Sequence, residues 1–257
     1  MQIFLTTNLF QAELYLSLPD FNTPETVIKV QVKMRTWTHC TAGITHKNFS
    51  DSWNEAEMYY KGVKIALTPL ERDELVAIYV YTKNLTNVYY ELNTAVQNQG
   101  PEYKTRFNYH SLHYFLTRAI QKLAKNTGGK CQTAYRRTTV SFKQDVLNQN
   151  MRFGRFSSSS KHPLKSDEGK SLEASYGDKS CFVIETCFGA DIAPYSWVKI
   201  NSGKDIEAEI LIPPYEVFKV TKIETRAKDK EVPCEVVYTL KSTKKPFSKY
   251  NCEFFKP

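Results

Sequence analysis

Residues 109–130 read YHSLHYFLTRAIQKLAKNTGGK, and the architecture turns on them. Leu112, Phe115, Leu116, Ala119, Ile120 and Leu123 recur at three- and four-residue spacing, which puts them on one face of a helix running from about Tyr109 to Lys125. Gly128-Gly129 then stops it. Upstream the chain stays helical in pattern. Thr68-Pro69-Leu70-Glu71 reads as a helix start with Thr68 as the cap, followed by the apolar run Leu75 to Tyr81. Thr86 precedes a second helix carrying Val88, Leu92 and Val96, and Gly100-Pro101 closes it.

Downstream of Gly129 the period changes. Short β-rich runs appear at Ala134 to Phe142, Cys181 to Phe188, Glu207 to Ile212, Tyr215 to Ile223 and Val232 to Leu240. Helices first and strands second predict an α+β fold, not an alternating α/β one. The 257 residues suit a single domain, with residues 1–129 mainly helical and 130–257 rich in strands. Ser157 to Ser160 and the polar segment Lys161 to Lys179 are expected to be surface loop, and the run Lys241 to Lys245 a solvated turn.

Composition excludes more than it selects. Apolar residues make up 41% of the chain, enough for a core. A net charge of +8 favours anionic partners, but the charge is spread along the chain and no nucleic-acid module is recognisable. No stretch approaches the roughly 20 apolar residues that span a bilayer. Neither a signal peptide nor the apolar tail of a lipid-anchor signal is visible. The six cysteines contain no CxxC pair, which argues against zinc, and His110 and His113, one turn apart, lack a third ligand. An even cysteine count beside the sequons Asn48-Phe49-Ser50 and Asn84-Leu85-Thr86 points to disulfides and an extracellular setting.

Three places in the second half have the residue types for chemistry: Tyr135-Arg136-Arg137, the serine run 157–160, and Glu207-Ala208-Glu209. Each alone reads as a surface feature. If Glu207 and Glu209 share a strand, they share a face at roughly 7 Å. Paired carboxylates suit a glycosidic bond whose cleavage builds positive charge on a sugar.

Taken together, these residues resemble the Arg–Ser–Glu-x-Glu signature of arginine-specific mono-ADP-ribosyltransferases of the vertebrate ecto-enzyme type. Longer segments carry the resemblance from about Leu75 to Phe255: Leu211-Ile212-Pro213-Pro214-Tyr215-Glu216-Val217-Phe218, Thr186-Cys187-Phe188-Gly189-Ala190, Tyr250-Asn251-Cys252-Glu253 and Phe107 to Thr117. The resemblance implies a helical part packed on two β-sheets that meet around an NAD cleft, with disulfides Cys131–Cys187 and Cys40–Cys252. Cys181 and Cys234 lack family counterparts and either bridge each other or stay free.

The implied activity is transfer of ADP-ribose from NAD, as co-substrate and without metal, to arginine on target proteins by a monomeric secreted or surface enzyme. Arg136 would bind the NAD phosphates, and Ser158 would hold Glu209 and the ribose. Glu209 would stabilise the charge left as nicotinamide departs, while Glu207 activates the acceptor. Tyr81, Arg155 and Ser196 lie where the family also contacts NAD. An NAD glycohydrolase and a silent recognition protein are the alternatives. Arg137 stands where many relatives have glycine, so it is expected either to crowd the dinucleotide or to add a phosphate contact. Arg155 replaces a residue that is often uncharged, and the spacing from Ser158 to Glu209 is longer than usual.

Overall fold

The computed structural model describes residues 47–62, 68–100, 102–103, 105–166, 171–202 and 208–247. Four helices come first: α1 (Lys47–Gly62), α2 (Arg72–Thr82), α3 (Val88–Asn98) and α4 (His110–Lys125). Eight strands follow: β1 (Gln132–Thr138), β2 (Asn150–Met151), β3 (Ser157–Ser160), β4 (Ser180–Thr186), β5 (Ala190–Asp191), β6 (Glu209–Ile212), β7 (Glu216–Thr225) and β8 (Val236–Pro246). A short helix α5 (Trp197–Ser202) interrupts them before β6. The α+β order is therefore as expected.

Helix α2 is the axis of the helical layer. Every residue from Glu74 to Tyr81 is buried, because helices lie around it and an all-round apolar sequence needs an all-round apolar setting. Its cap is Glu71 and not Thr68. Glu71 and Glu74 form a reciprocal capping box, with Glu71 N–H donating to Glu74 at 2.8 Å. Thr68 Oγ1 accepts only from Leu70 N–H, so it shapes the approach to the helix. Helix α1 brings Phe49, Trp53, Ala56 and Tyr60, spaced 4, 3 and 4, into the same core. Each of the three aromatic side chains contributes about 1.5–3 kcal/mol of burial.

The strands run in the order β2-β7-β8-β4-β1-β3-β6-β5. All neighbours are antiparallel except β4 and β8. The two expected sheets are parts of one continuous sheet, joined where β1 meets β3 through the single register pair Tyr135–Ser160. β1 pairs along its whole length with β4, and β3 along its whole length with β6. The seam between them is thus the weakest ladder in the sheet, and it lies beside the residues with chemical interest.

Two departures from the sequence expectation concern this sheet, and one alternative left open by the sequence is decided. Ser157 to Ser160 is strand β3, paired residue for residue with β6. Lys241 to Lys245 lies inside β8, with Lys241 facing Glu185 at 3.7 Å. Cys181 and Cys234 are bridged, tying β4 to the turn before β8. Cys131–Cys187 is bridged as expected, while Cys40 and Cys252 lie outside the described residues. The cluster Cys131, Glu185 and Cys187 is no metal site, since its two sulfurs are bonded to each other.

Candidate active site

Arg136 projects from β1 and donates from Nη1 to the backbone carbonyl of Ser158 on β3. Ser158 and Ser160 share one face of β3, and their cross-strand partners on β6 are Leu211 and Glu209. Leu211 packs into the helical core, so this face looks toward the helices. Glu209 is 7% exposed at the first position of β6. The residue before it, Ala208, has φ +41°, a left-handed conformation that costs a side-chain-bearing residue energy. Strand β6 begins at Glu209, and the same-face geometry expected for the Glu207–Glu209 pair falls partly outside the described residues. Glu207 itself lies outside the described residues.

Tyr81, near the end of α2, reaches this face. Its hydroxyl lies 3.4 Å from the Phe156 carbonyl and accepts from Asn93 Nδ2 at 3.1 Å. Its ring meets Phe156 edge-on at 6.0 Å. Burial first, and then the negative charge of Glu209, push the Tyr81 phenol up to about 12, while the Ser158 hydroxyl and Arg136 act the other way. Burial and the like charge of Arg155 push the Arg136 guanidinium down to about 10, opposed by Tyr81, Glu209 and Tyr89. Tyr89 on α3 is raised by burial and held back by Arg136 and Arg155. Five of these groups thus sit in one another's fields: two guanidiniums, one buried carboxylate and two phenols. Among the described residues neither Arg136 nor Arg155 has a carboxylate at ion-pair distance. The electrostatic demand is for an anion beside a buried Glu209.

Not every expected residue arrives there with a free side chain. Ser196 caps α5: its hydroxyl donates to the Ala193 carbonyl at 3.0 Å and accepts from Lys199 N–H at 3.1 Å. Its neighbour Trp197 N–H bonds Thr82 Oγ1, which places the cap beside the end of α2. Arg137 neither crowds the site nor offers itself to a phosphate. Successive strand residues face opposite ways, and Arg137 is buried on the far face. There it donates to the carbonyls of Leu172 at 3.0 Å, Leu164 at 2.7 Å, Pro233 at 3.3 Å and Gly177 at 3.4 Å, and to the Cys234 sulfur. It fastens the loop after β3 to the turn before β8.

Glu216 of the Pro-Pro-Tyr-Glu segment is also structural. It accepts from Thr186 Oγ1, Cys187 N–H and Phe188 N–H at 2.5, 2.8 and 3.2 Å, although burial pushes its carboxyl up. Gly189 is required in that turn, because an added Cβ would lie 2.7 Å from Thr186 Oγ1. His110 and His113 pack against Tyr103 and Phe107, and among the described residues they belong to no metal-binding cluster. Burial lowers both, His113 to about 4.

Two site residues escape a reading of the sequence: Tyr89 and Asn93. Both belong to α3, whose 88-92-96 stripe signals packing only. Nothing local marks a tyrosine or asparagine on such a helix as facing strands far along the chain.

Comparison with known proteins bears on the family and the fold. The family model described as ART: NAD:arginine ADP-ribosyltransferase matches residues 31–244. The human ecto-ADP-ribosyltransferase 5 is 30% identical over 219 residues, covering 81% of this chain and 69% of its own length. The mouse protein of that name is 32% identical, with 81% and 65% covered. The mouse ecto-ADP-ribosyltransferase 4 is 34% identical over 188 residues, with 68% and 56% covered. The chain thus spans about two thirds or less of these relatives. Among solved structures, the eucaryotic mono-ADP-ribosyltransferase ART2.2 superposes with a TM-score of 0.57 at 28% identity, covering 79% of this chain and 81% of the other. A variant of it solved in complex with NAD gives the same TM-score. Exoenzyme S from Pseudomonas aeruginosa, at 14% identity and TM-score 0.54, shares the fold.

Proposed function

Since the chain belongs to the NAD:arginine ADP-ribosyltransferase family, we propose that it cleaves the nicotinamide–ribose bond of NAD and transfers ADP-ribose to arginine side chains. The observation that carries this reading is the grouping of Arg136, Arg155, Tyr81, Ser158 and a buried Glu209 on one seam of the sheet. A dinucleotide diphosphate supplies the anion that the guanidinium pair lacks, and the guanidinium fork matches phosphate oxygens. The ribose and nicotinamide then lie toward Ser158 and Glu209.

The chemistry follows. Nicotinamide leaves with the electron pair of its bond to the ribose carbon, and positive charge builds on that sugar. Glu209, buried and fixed at a strand end, offsets this charge as it develops. An acceptor guanidinium is fully protonated in water and a poor nucleophile. A carboxylate must take its proton as the new carbon–nitrogen bond forms, and Glu207 is the candidate. Ser196 bounds the site through its cap and Trp197. The two disulfides and the ecto-enzyme relatives support an extracellular setting. Among the described residues no helix is long and apolar enough to cross a membrane. Target proteins with accessible arginines are the proposed partners of a monomer.

Labelled NAD with agmatine as acceptor tests the assignment. Wild type should yield ADP-ribosyl-agmatine and nicotinamide. Glu209→Gln should lose both products at least a hundredfold, and near-normal turnover in that variant would sink the role of Glu209. Glu207→Gln should lose transfer while retaining slow release of ADP-ribose to water. Free ADP-ribose as the sole product of wild type would make the protein a glycohydrolase instead.

A further inference from the structure

Strand β5 is an edge of the sheet, and its two residues, Ala190 and Asp191, pair with Leu211 and Ile210 of β6. After Asp191 the chain leaves the sheet, passes through a 3-10 turn at Ala193–Tyr195 and through α5, and rejoins the sheet after Ala208, where β6 begins. Ser196, Trp197 and Glu207 all belong to this excursion. One residue holds both of its feet. Lys161, the first residue after β3, donates its backbone N–H to the Ala208 carbonyl at 3.0 Å, and its ammonium group pairs with the Asp191 carboxylate. The other oxygen of that carboxylate accepts from Ala193 N–H at 3.1 Å, which turns the chain out of the sheet.

The strands carrying this ion pair flank β6, so the pair spans that strand. Ser160 is the register partner of Glu209, and Asp191 that of Ile210. By alternation the pair crosses behind β6, on the face away from the Glu209 carboxylate. Both partners are partly exposed, and such pairs contribute little to stability. What the pair fixes is where the excursion starts relative to where it ends. Resting on the reaction proposed above, we infer that Lys161 and Asp191 are positioning residues for the acceptor step: their ion pair holds the two feet of the excursion together and so sets the place from which Glu207, adjoining the second foot, meets the acceptor guanidinium. Glu209 depends on it less. The Glu209 carbonyl accepts from Ile192 N–H at 3.1 Å, and the carbonyl before it accepts from the Lys161 backbone. Those bonds survive the loss of either side-chain charge. Cleavage of the nicotinamide bond and transfer to the acceptor are therefore separable, and a small misplacement of a reacting group is enough to slow transfer alone.

Four variants, given labelled NAD with and without agmatine, test this. Lys161→Met and Asp191→Asn remove the ion pair but keep the Lys161 N–H and an acceptor for Ala193 N–H. Each should lower the ratio of ADP-ribosyl-agmatine to free ADP-ribose at least fivefold. Nicotinamide release without agmatine should stay within threefold of wild type, and the melting temperature close to it. Lys161→Arg restores a cation and should keep the ratio within twofold. Because the two groups act as one pair, Lys161→Met combined with Asp191→Asn should be no worse than either single variant, within twofold. A Lys161→Met protein with the wild-type ratio would overturn the role of the pair while leaving the reaction standing. Equal loss of transfer and hydrolysis would also overturn it, since a merely structural role has that signature. Wild-type protein that released no nicotinamide, or gave only free ADP-ribose with agmatine present, would instead overturn the reaction and this role with it.

Discussion

Two adjacent arginines show how much a single residue position decides. Arg136 and Arg137 are chemically identical neighbours on β1 with opposite tasks. The Arg136 guanidinium is pushed down by burial and by Arg155, so its surroundings disfavour its charge. Arg136→Gln should therefore leave the melting temperature unchanged or raised, while calorimetric NAD affinity falls more than tenfold. Arg137→Met should do the reverse. It strips the donor from four carbonyls, each worth about 1–3 kcal/mol when left unpaired. A net loss of about 3 kcal/mol, or on the order of 10 °C in melting temperature, is expected, with NAD affinity within threefold of wild type. Equal loss of NAD affinity in both variants would remove the distinction. The sequence offered both arginines as site residues. Only strand alternation together with the position of the loop after β3 separates them, and that loop's path is not written in its own residues.

Among the elements, the cap of α2 is the best example of a local signal with a long-range function. Glu74 is 1% exposed; it closes the capping box and faces Lys122 at 2.8 Å and Arg118 at 3.4 Å on α4. Glu74→Ala should cost about 2–4 kcal/mol in urea denaturation, because two cations lose their buried partner but keep partial access to water and to Glu71. Specific activity of the folded fraction should stay near wild type. Helices α2, α3 and α4 were legible because their apolar spacing is local; α1, with its 49-53-56-60 stripe, was not picked out. β3 was not legible. Four serines have weak strand propensity and no apolar alternation, and they form a strand only because β6 lies beside them. The bend at Ala208 was equally hidden, since alanine carries no mark of a left-handed backbone. Of the site, Arg136, Tyr81, Arg155, Ser158 and Glu209 could be named from motifs, whereas Tyr89 and Asn93 depend on how α3 meets the sheet.

At the scale of the molecule, the strand-rich half is held by covalent bonds as well as by its core. Cys131–Cys187 and Cys181–Cys234 close loops of 56 and 53 residues. Loops of this length restrict the unfolded chain by about 4 kcal/mol each on the chain-entropy account. Cys181→Ala with Cys234→Ala should lower stability by up to about that amount in denaturant titration, with the fold and the β1–β3–β6 site retained. A variant as stable as wild type under non-reducing conditions would show that the second bridge is idle. Both bridges lie on the β1–β4–β8 side of the sheet, and among the described residues neither crosses to β3 and β6. That asymmetry bears on the single pair Tyr135–Ser160. Across the seam the ladder is one backbone pair, and the rest of the connection is made by side chains: the Arg136 bond to the Ser158 carbonyl, the Gln132 bond to the Gly189 carbonyl, and a core in which Ile210 and Ile212 meet Ala134, Phe182 and Ile184. The spacing between Arg136 and Glu209 is therefore set by the bulk of buried side chains where the rest of the sheet is ruled by backbone ladders.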